Sequence, residues 1–147
     1  MHNSILRGAA AIGVLAVSAS YASEEGEGLT TVSETRELCA TAASQVADGA
    51  FERAFGALAP HWPLPQSEIR AIVAQSESQL GQVGSRFGAP IGTEHVSTSE
   101  AGSSFVGHLY AIKYENHALR FTCRFYKPRD QWLVNSVNWD DQAFISF

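Results

Sequence analysis

Two cysteines are the residues of this chain whose chemistry is easiest to interpret. Cys39 and Cys123 are the only two, and each falls on the apolar side of a predicted element, the first on a helix and the second on a strand. Side chains on facing apolar surfaces can form a disulfide in an oxidising compartment, whereas two separate buried thiols would pack as small hydrophobic groups. Both interpretations remain open, and no Cys-x-x-Cys pair indicates a redox role.

The histidines do not show a metal-ligand pattern. His61, His95, His108 and His117 have no His or acid partner four residues away on a predicted helix, which is the spacing that a helical zinc site needs. Glycine-rich phosphate loops and Gly-x-Ser-x-Gly are absent from the sequence. We therefore predict no metal and no cofactor, and we interpret Asp140-Asp141 as a solvated turn.

His108 and Tyr110 are the candidate catalytic pair, because strand alternation places them on one face. A histidine base with a tyrosine donor suits a small lyase or isomerase. No acid accompanies them on that face, so we favour non-catalytic binding of a ligand. The alternative is that these side chains form hydrogen bonds to other groups of the protein itself. The candidate binding residues are His108, Tyr110, Asn135, Trp62 and Trp139.

Three consecutive strand-like segments must position these residues: 104–115, 118–127 and 132–140. Their period of two predicts a sheet with one covered and one solvated face. A turn at Asn116-His117 pairs Tyr114 with Leu119, and a loop at 128–130 determines the register of the last strand. The covered face is then predicted to hold Val106, His108, Tyr110, Ile112, Tyr114, Leu119, Phe121, Cys123, Phe125, Leu133, Asn135, Val137 and Trp139.

The opposite face carries a small basic and aromatic strip. Arg120, Arg124 and Tyr126 alternate with the apolar residues of the middle strand, and the predicted register also places Lys113 opposite Arg120. Strips of this kind are mostly solvated, but together with Trp132 this one could contact an anionic or protein partner.

Helices are predicted to cover the apolar face. Thr31 and Glu34 form a candidate capping box for a first helix that ends at Asp48-Gly49. A short helix follows over 51–59, a stiff proline connector over 60–65, and a third helix over 66–86, before a first strand at 91–99. Helices followed by a meander predict an α+β fold, with two or three helices on a curved four-stranded antiparallel sheet.

The N-terminal residues read as a secretion signal. One positive charge, a short apolar run and the small residues Ser20 and Ala22 predict a signal peptide over 1–22. Cleavage is expected after Ala22, with Ala19 as the second choice. A disordered linker is predicted over 23–30 and a single domain over 31–147. The net charge of −5 argues against nucleic-acid binding, and no stable membrane span is predicted after cleavage. The protein is thus expected to be periplasmic or secreted.

The segment 46–51 between the first two helices (Val-Ala-Asp-Gly-Ala-Phe) and the strand–turn–Trp–strand rhythm of 120–139 resemble the nuclear-transport-factor-2-like superfamily, also described as a cystatin-like α+β cone. The resemblance implies a curved sheet around a long helix, a pocket for a small apolar ligand, and protein binding or homodimerisation through the sheet. Ketosteroid isomerase-like members use an acid or histidine base in the cone, where this chain offers only His108 and Tyr110. The Gln-x-Val-x-Gly hairpin of cystatin inhibitors is missing.

Overall fold

The computed structural model describes residues 28–142. The predicted signal peptide and most of the predicted linker lie outside these residues. Three helices pack on an open four-stranded antiparallel sheet of order β1-β2-β3-β4, which confirms the α+β prediction. The elements are α1 Val32–Ala47, α2 Phe51–Leu58, α3 Gln66–Val83, β1 Pro90–Ala101, β2 Phe105–Tyr114, β3 Ala118–Tyr126 and β4 Leu133–Asp140. No helix between residues 28 and 142 is long and apolar enough to cross a bilayer.

Helix α1 begins and ends as its sequence predicts. The Thr31 hydroxyl accepts from the Glu34 amide at 3.1 Å, and the Glu34 carboxylate accepts from the Thr31 amide at 2.8 Å. This capping box satisfies amides that have no partner within the helix. Gly49 follows the last turn in the left-handed conformation, with φ of 75°. The buried face of α1 contains Cys39, Ala42, Ala43 and Val46, so the helix packs closely on the sheet.

The second and third helices form the outer part of the helical layer. The 3₁₀ turn Ala59–His61 continues α2 through Pro60, which a 3₁₀ start tolerates because Pro sits at its second position. The predicted non-helical connector therefore begins later than expected, at Trp62. Helix α3 buries Ile69, Val73 and Ser76 at helical spacing, and a second 3₁₀ turn, Gly84–Arg86, ends it.

The pairing of β2 with β3 differs from the prediction by two residues, although every side chain keeps its predicted face. Ile112 opposes Leu119 and His108 opposes Cys123. The turn is centred one residue earlier than expected, since the Tyr114 amide donates to the His117 carbonyl at 2.8 Å. The predicted juxtaposition of Lys113 with Arg120 is wrong, because Ala118 opposes Lys113 and Ala111 opposes Arg120.

A contact from outside the hairpin explains this register. The Glu115 amide donates to the Ala89 carbonyl at 3.0 Å, and the Asn116 amide donates to the Phe87 carbonyl at 2.9 Å. The Phe87 ring also stacks on His117, with 4.6 Å between centroids. Segment 87–89 thus satisfies the backbone donors of the turn, which favours the observed turn over the predicted turn centred one residue later.

A β-bulge in the β3–β4 pair corrects part of the predicted covered face. Val134 opposes Phe125 and Ser136 opposes Arg124, so residue 135 has no partner. An extra residue reverses the alternation of side chains beyond it. The placement of Leu133 and Asn135 on the covered face is therefore wrong: Asn135 is exposed and Val134 is buried.

Two left-handed glycines offer a matched test of the segment that sets the register. Gly88 (φ 79°) and Gly49 (φ 75°) share a backbone conformation, which costs an alanine about 1 kcal/mol. A Cβ at Gly88 would lie 2.9 Å from the Glu115 Cβ, whereas a Cβ at Gly49 meets nothing within 4 Å. We expect Gly88→Ala to lower the free energy of unfolding clearly more than Gly49→Ala, as measured by urea denaturation. Equal losses would contradict this view of the turn.

Candidate functional site

Cys39 of α1 and Cys123 of β3 are joined in a disulfide, with 5.9 Å between their Cα atoms. Both residues are fully buried. The separation fits ordinary disulfide geometry, and the two alternatives left open by the sequence are resolved in favour of the bond. The disulfide fixes α1 to the centre of the sheet, beside the pair formed by His108 and Cys123.

His108 is fully buried between α1 and β1, and both of its ring nitrogens have protein partners. Its Nε2 lies 2.8 Å from the Thr35 Oγ1, and its Nδ1 lies 2.8 Å from the Thr98 Oγ1. The Thr35 hydroxyl donates its own proton to the Val32 carbonyl at 2.6 Å, so it can only accept from His108. The neutral ring therefore carries its proton on Nε2 and accepts from Thr98 at Nδ1.

The same chain of hydrogen bonds reaches the surface at His95, whose Nε2 lies 2.9 Å from the Thr98 Oγ1. Since Thr98 donates to His108, it accepts from His95. The pKa of His108 is lowered to about 4, mainly by burial, and the nearby His95 and Arg36 contribute to this lowering. His108 is thus neutral near pH 7, with both nitrogens engaged.

Tyr110, Trp62 and Trp139, which were also predicted to line a pocket, each contact other protein groups. The Tyr110 hydroxyl donates to the Arg36 carbonyl at 3.4 Å, and burial raises its pKa. The Trp62 ring stacks on Phe55 with 6.1 Å between centroids, and the Trp139 indole N–H donates to the Ser76 hydroxyl at 3.0 Å. Of the five predicted binding residues, His108 and Trp139 line one cleft, Asn135 lines a second, and Tyr110 and Trp62 line neither of these two.

One buried hydroxyl on the covered face has no partner within residues 28–142. Tyr114 is 9% exposed, and its hydroxyl makes no hydrogen bond there. Burial raises the pKa of this phenol, which keeps it neutral. Its ring packs at 5.6 Å from Phe87, so the residue supports the same segment that fixes the hairpin register.

Within residues 28–142, no helix packs on the opposite face of the sheet, which we call the uncovered face. Four rows of its side chains span all four strands, and Lys113 lies in a shorter row with Gly92 and Ala118, as the register requires. From one end of the sheet to the other, the four rows are Ala101–Phe105–Tyr126–Leu133, Ser99–Gly107–Arg124–Ser136, Ser97–Leu109–Thr122–Asn138 and Glu94–Ala111–Arg120–Asp140.

A cleft of about 550 Å³ lies in the middle of the uncovered face. Gly107 creates part of it, because a strand glycine leaves the space of a side chain empty between Ser99 and Arg124. The groups around it are mainly hydroxyl, amide and guanidinium, including those of Ser97, Thr122 and Asn138. Such a surface offers many hydrogen bonds to a polar ligand. The lining also includes the Asp140 carboxylate, which is paired with Arg120, and His108, whose two ring nitrogens are bonded to threonines.

Two of the three cations on the uncovered face lie beside an acid, and the third does not. Arg120 donates to the Asp140 carboxylate at 2.7 Å, which raises the pKa of the Arg120 guanidinium, and the Lys113 Nζ lies 3.7 Å from the Glu94 carboxylate. Arg124 has no ion pair with any residue in the described range. It is exposed in the centre of the sheet.

An aromatic pair flanks the cleft in the first row. Phe105 and Tyr126 stack with 5.1 Å between centroids, and they are 50% and 37% exposed. Large apolar groups left in solvent as a neighbouring pair are more informative than single exposed ones. The sequence had indicated Arg120, Arg124 and Tyr126. The contributions of Gly107, Ser97 and Ser99 were missed, although a glycine inside a strand was a signal for the first.

Comparison with known proteins places no further constraint on the site: no family model, curated protein or solved structure matches the chain. Within residues 28–142, no cluster of three or more His, Cys, Asp or Glu side chains is arranged to hold a metal ion.

Proposed function

We propose that this protein is an exported, non-catalytic binding domain that holds a small ligand on the uncovered face of its sheet. The observation that carries the proposal is the polar cleft above Gly107, beside an exposed aromatic pair and Arg124, which has no ion pair within residues 28–142. Concave sites with a few convergent polar groups are the usual places where proteins bind small molecules.

Export is supported by two independent features. The disulfide between Cys39 and Cys123 is of the kind that persists in oxidising compartments, and residues 1–22 have the composition of a signal peptide. The order of three helices followed by a meander is also what the proposed relation to the nuclear-transport-factor-2-like superfamily would require.

A lyase or isomerase that uses His108 and Tyr110 is supported less well. A general base must reach the substrate proton and have a pKa suited to the working pH. His108 is fully buried, both ring nitrogens are hydrogen-bonded to threonines, and its pKa is lowered to about 4.

One observation also favours a second function of the uncovered face, which is homodimerisation through the sheet. Phe105 and Tyr126 expose a stacked apolar surface at one end of the sheet, and burial of aromatic groups is a common energetic centre of protein interfaces. Sedimentation velocity of the wild type and of Phe105→Ser would show this as a dimer that the substitution dissociates.

Filling the cleft tests the proposed function. We expect Gly107→Val to abolish the saturation-transfer NMR signals of small fragments that bind the wild type, because the new side chain occupies the cleft. A Cβ at Gly107 would lie 3.6 Å from the Arg124 Cγ, an ordinary contact, and valine suits a strand. Near-UV circular dichroism checks that the fold is retained.

The matched control is Gly81→Ala, on the exposed side of α3, where a Cβ would meet nothing within 4 Å. This variant should bind the same fragments as the wild type. Equal fragment binding by Gly107→Val and the wild type, or no fragment binding by the wild type, would overturn the proposal.

A further inference from the structure

We propose that the cleft recognises a carboxylate that carries an apolar group, and that Arg124 is the residue that binds the carboxylate. This inference rests on the proposed function and names the ligand class of the same site.

The charge of Arg124 is the first observation. The net charge of the chain is −5, and the two other cations on the uncovered face, Lys113 and Arg120, each lie next to an acid of that face. Arg124 has no acid partner among residues 28–142, and both of its strand neighbours carry small side chains, Gly107 and Ser136. A bound anion would provide the charge complement that the other two cations already have.

The second observation is that two clefts meet at Arg124. The larger one extends towards Thr122 and Asn138. The smaller one, of about 210 Å³, extends towards Ala101 and Phe105. Ser99, Gly107 and Arg124 line both of them. A ligand centred on Arg124 therefore meets hydrogen-bonding groups on one side and an apolar wall on the other.

The smaller cleft also explains the position of Asn135. The bulge in β4 leaves this residue unpaired and exposed, and its side chain lines the smaller cleft with Arg124. Its amide can donate to a carboxylate oxygen. Glu100 lines the same cleft, but it alternates with Ser99 and Ala101 along β1, so its side chain leaves the strand on the opposite side.

The geometry of a guanidinium decides which anion fits. Its planar fork of donors matches the two oxygens of a carboxylate, and charge-assisted pairs of this kind are about twice as strong as neutral hydrogen bonds. Hydroxyls of Ser99 and Ser136 stand in the same row as Arg124. The stacked rings of Phe105 and Tyr126 lie one row away and would contact the apolar part of the ligand.

Benzoate is the simplest probe of this chemistry, with benzyl alcohol as its neutral counterpart and inorganic phosphate as a different oxyanion. We expect saturable benzoate binding to the wild type in NMR titrations, and a loss of at least tenfold in Arg124→Gln, the ratio that about 1.4 kcal/mol gives. Arg124→Lys should fall between the two, since it keeps the charge and loses the fork. Benzyl alcohol affinity should be the same in all three proteins.

Arg129→Gln, in the loop between β3 and β4, is the matched control and should bind benzoate like the wild type. The inference is overturned if Arg124→Gln binds benzoate as well as the wild type, or if phosphate binds more tightly than benzoate. In either case, the proposed function would still hold if the wild type binds fragments and Gly107→Val does not. If Gly107→Val also binds like the wild type, both proposals fail.

Discussion

Removal of the disulfide is expected to lower the free energy of unfolding by about 4–5 kcal/mol, because the bond closes a loop between residues 84 positions apart. The double variant Cys39→Ala with Cys123→Ala tests this by urea denaturation against the oxidised wild type. A loss of this size is a large fraction of the stability of a typical small domain. The variant is therefore expected to be marginally folded.

Reductant separates the bond from the packing of the two side chains. Dithiothreitol, present throughout denaturation, should lower the midpoint of the wild type and leave that of the double alanine variant unchanged. A wild type whose unfolding is the same with and without reductant would contradict the stabilising role of the bond.

Acidification from pH 7 to pH 4 is expected to remove about 3 kcal/mol of stability through His108 alone. The pKa of this histidine is about 4 in the folded protein, against an ordinary 6.5. Between these values the unfolded chain binds the proton more readily, so the contribution is complete above pH 6.5 and is lost as the pH falls towards 4. Burial is the main cause, and His95 of β1 and Arg36 of α1 add positive charge nearby.

His108→Gln isolates this contribution from other groups that titrate in the same range. The variant should be less stable than the wild type at pH 7, because glutamine cannot reproduce both threonine hydrogen bonds. Its stability should then change less with pH, so that the two curves converge towards pH 4. Curves that stay parallel from pH 7 to pH 4 would contradict a lowered pKa for His108.

The elements and faces of this fold could be predicted because they depend on local patterns. The alternation of β3 placed Phe121 and Cys123 on the covered face, and the Thr31–Glu34 box marked the start of α1. The register could not be predicted in the same way. It depends on backbone hydrogen bonds from segment 87–89 to the turn at Glu115 and Asn116, which exist only after the chain has folded.

The site was harder to predict because partners of polar groups are distant in sequence. His108 on an apolar face suggested a ligand, yet its partner Thr35 lies 73 residues away and inside a helix. The bulge at Asn135 reversed the faces at the start of β4, and no turn residue in the sequence marks it. Arg124 and Tyr126 were identified correctly as neighbours on the other face, but only the complete sheet shows the cleft beside them.

Intermolecular nuclear Overhauser effects can locate the ligand on this protein directly, with benzoate as the bound ligand. We expect contacts from the benzoate ring protons to the side chains of Phe105 and Tyr126 on the uncovered face, next to the row of Arg124. Contacts to Trp62 and Tyr110, on the helix-covered side, with none to the uncovered face, would contradict this prediction.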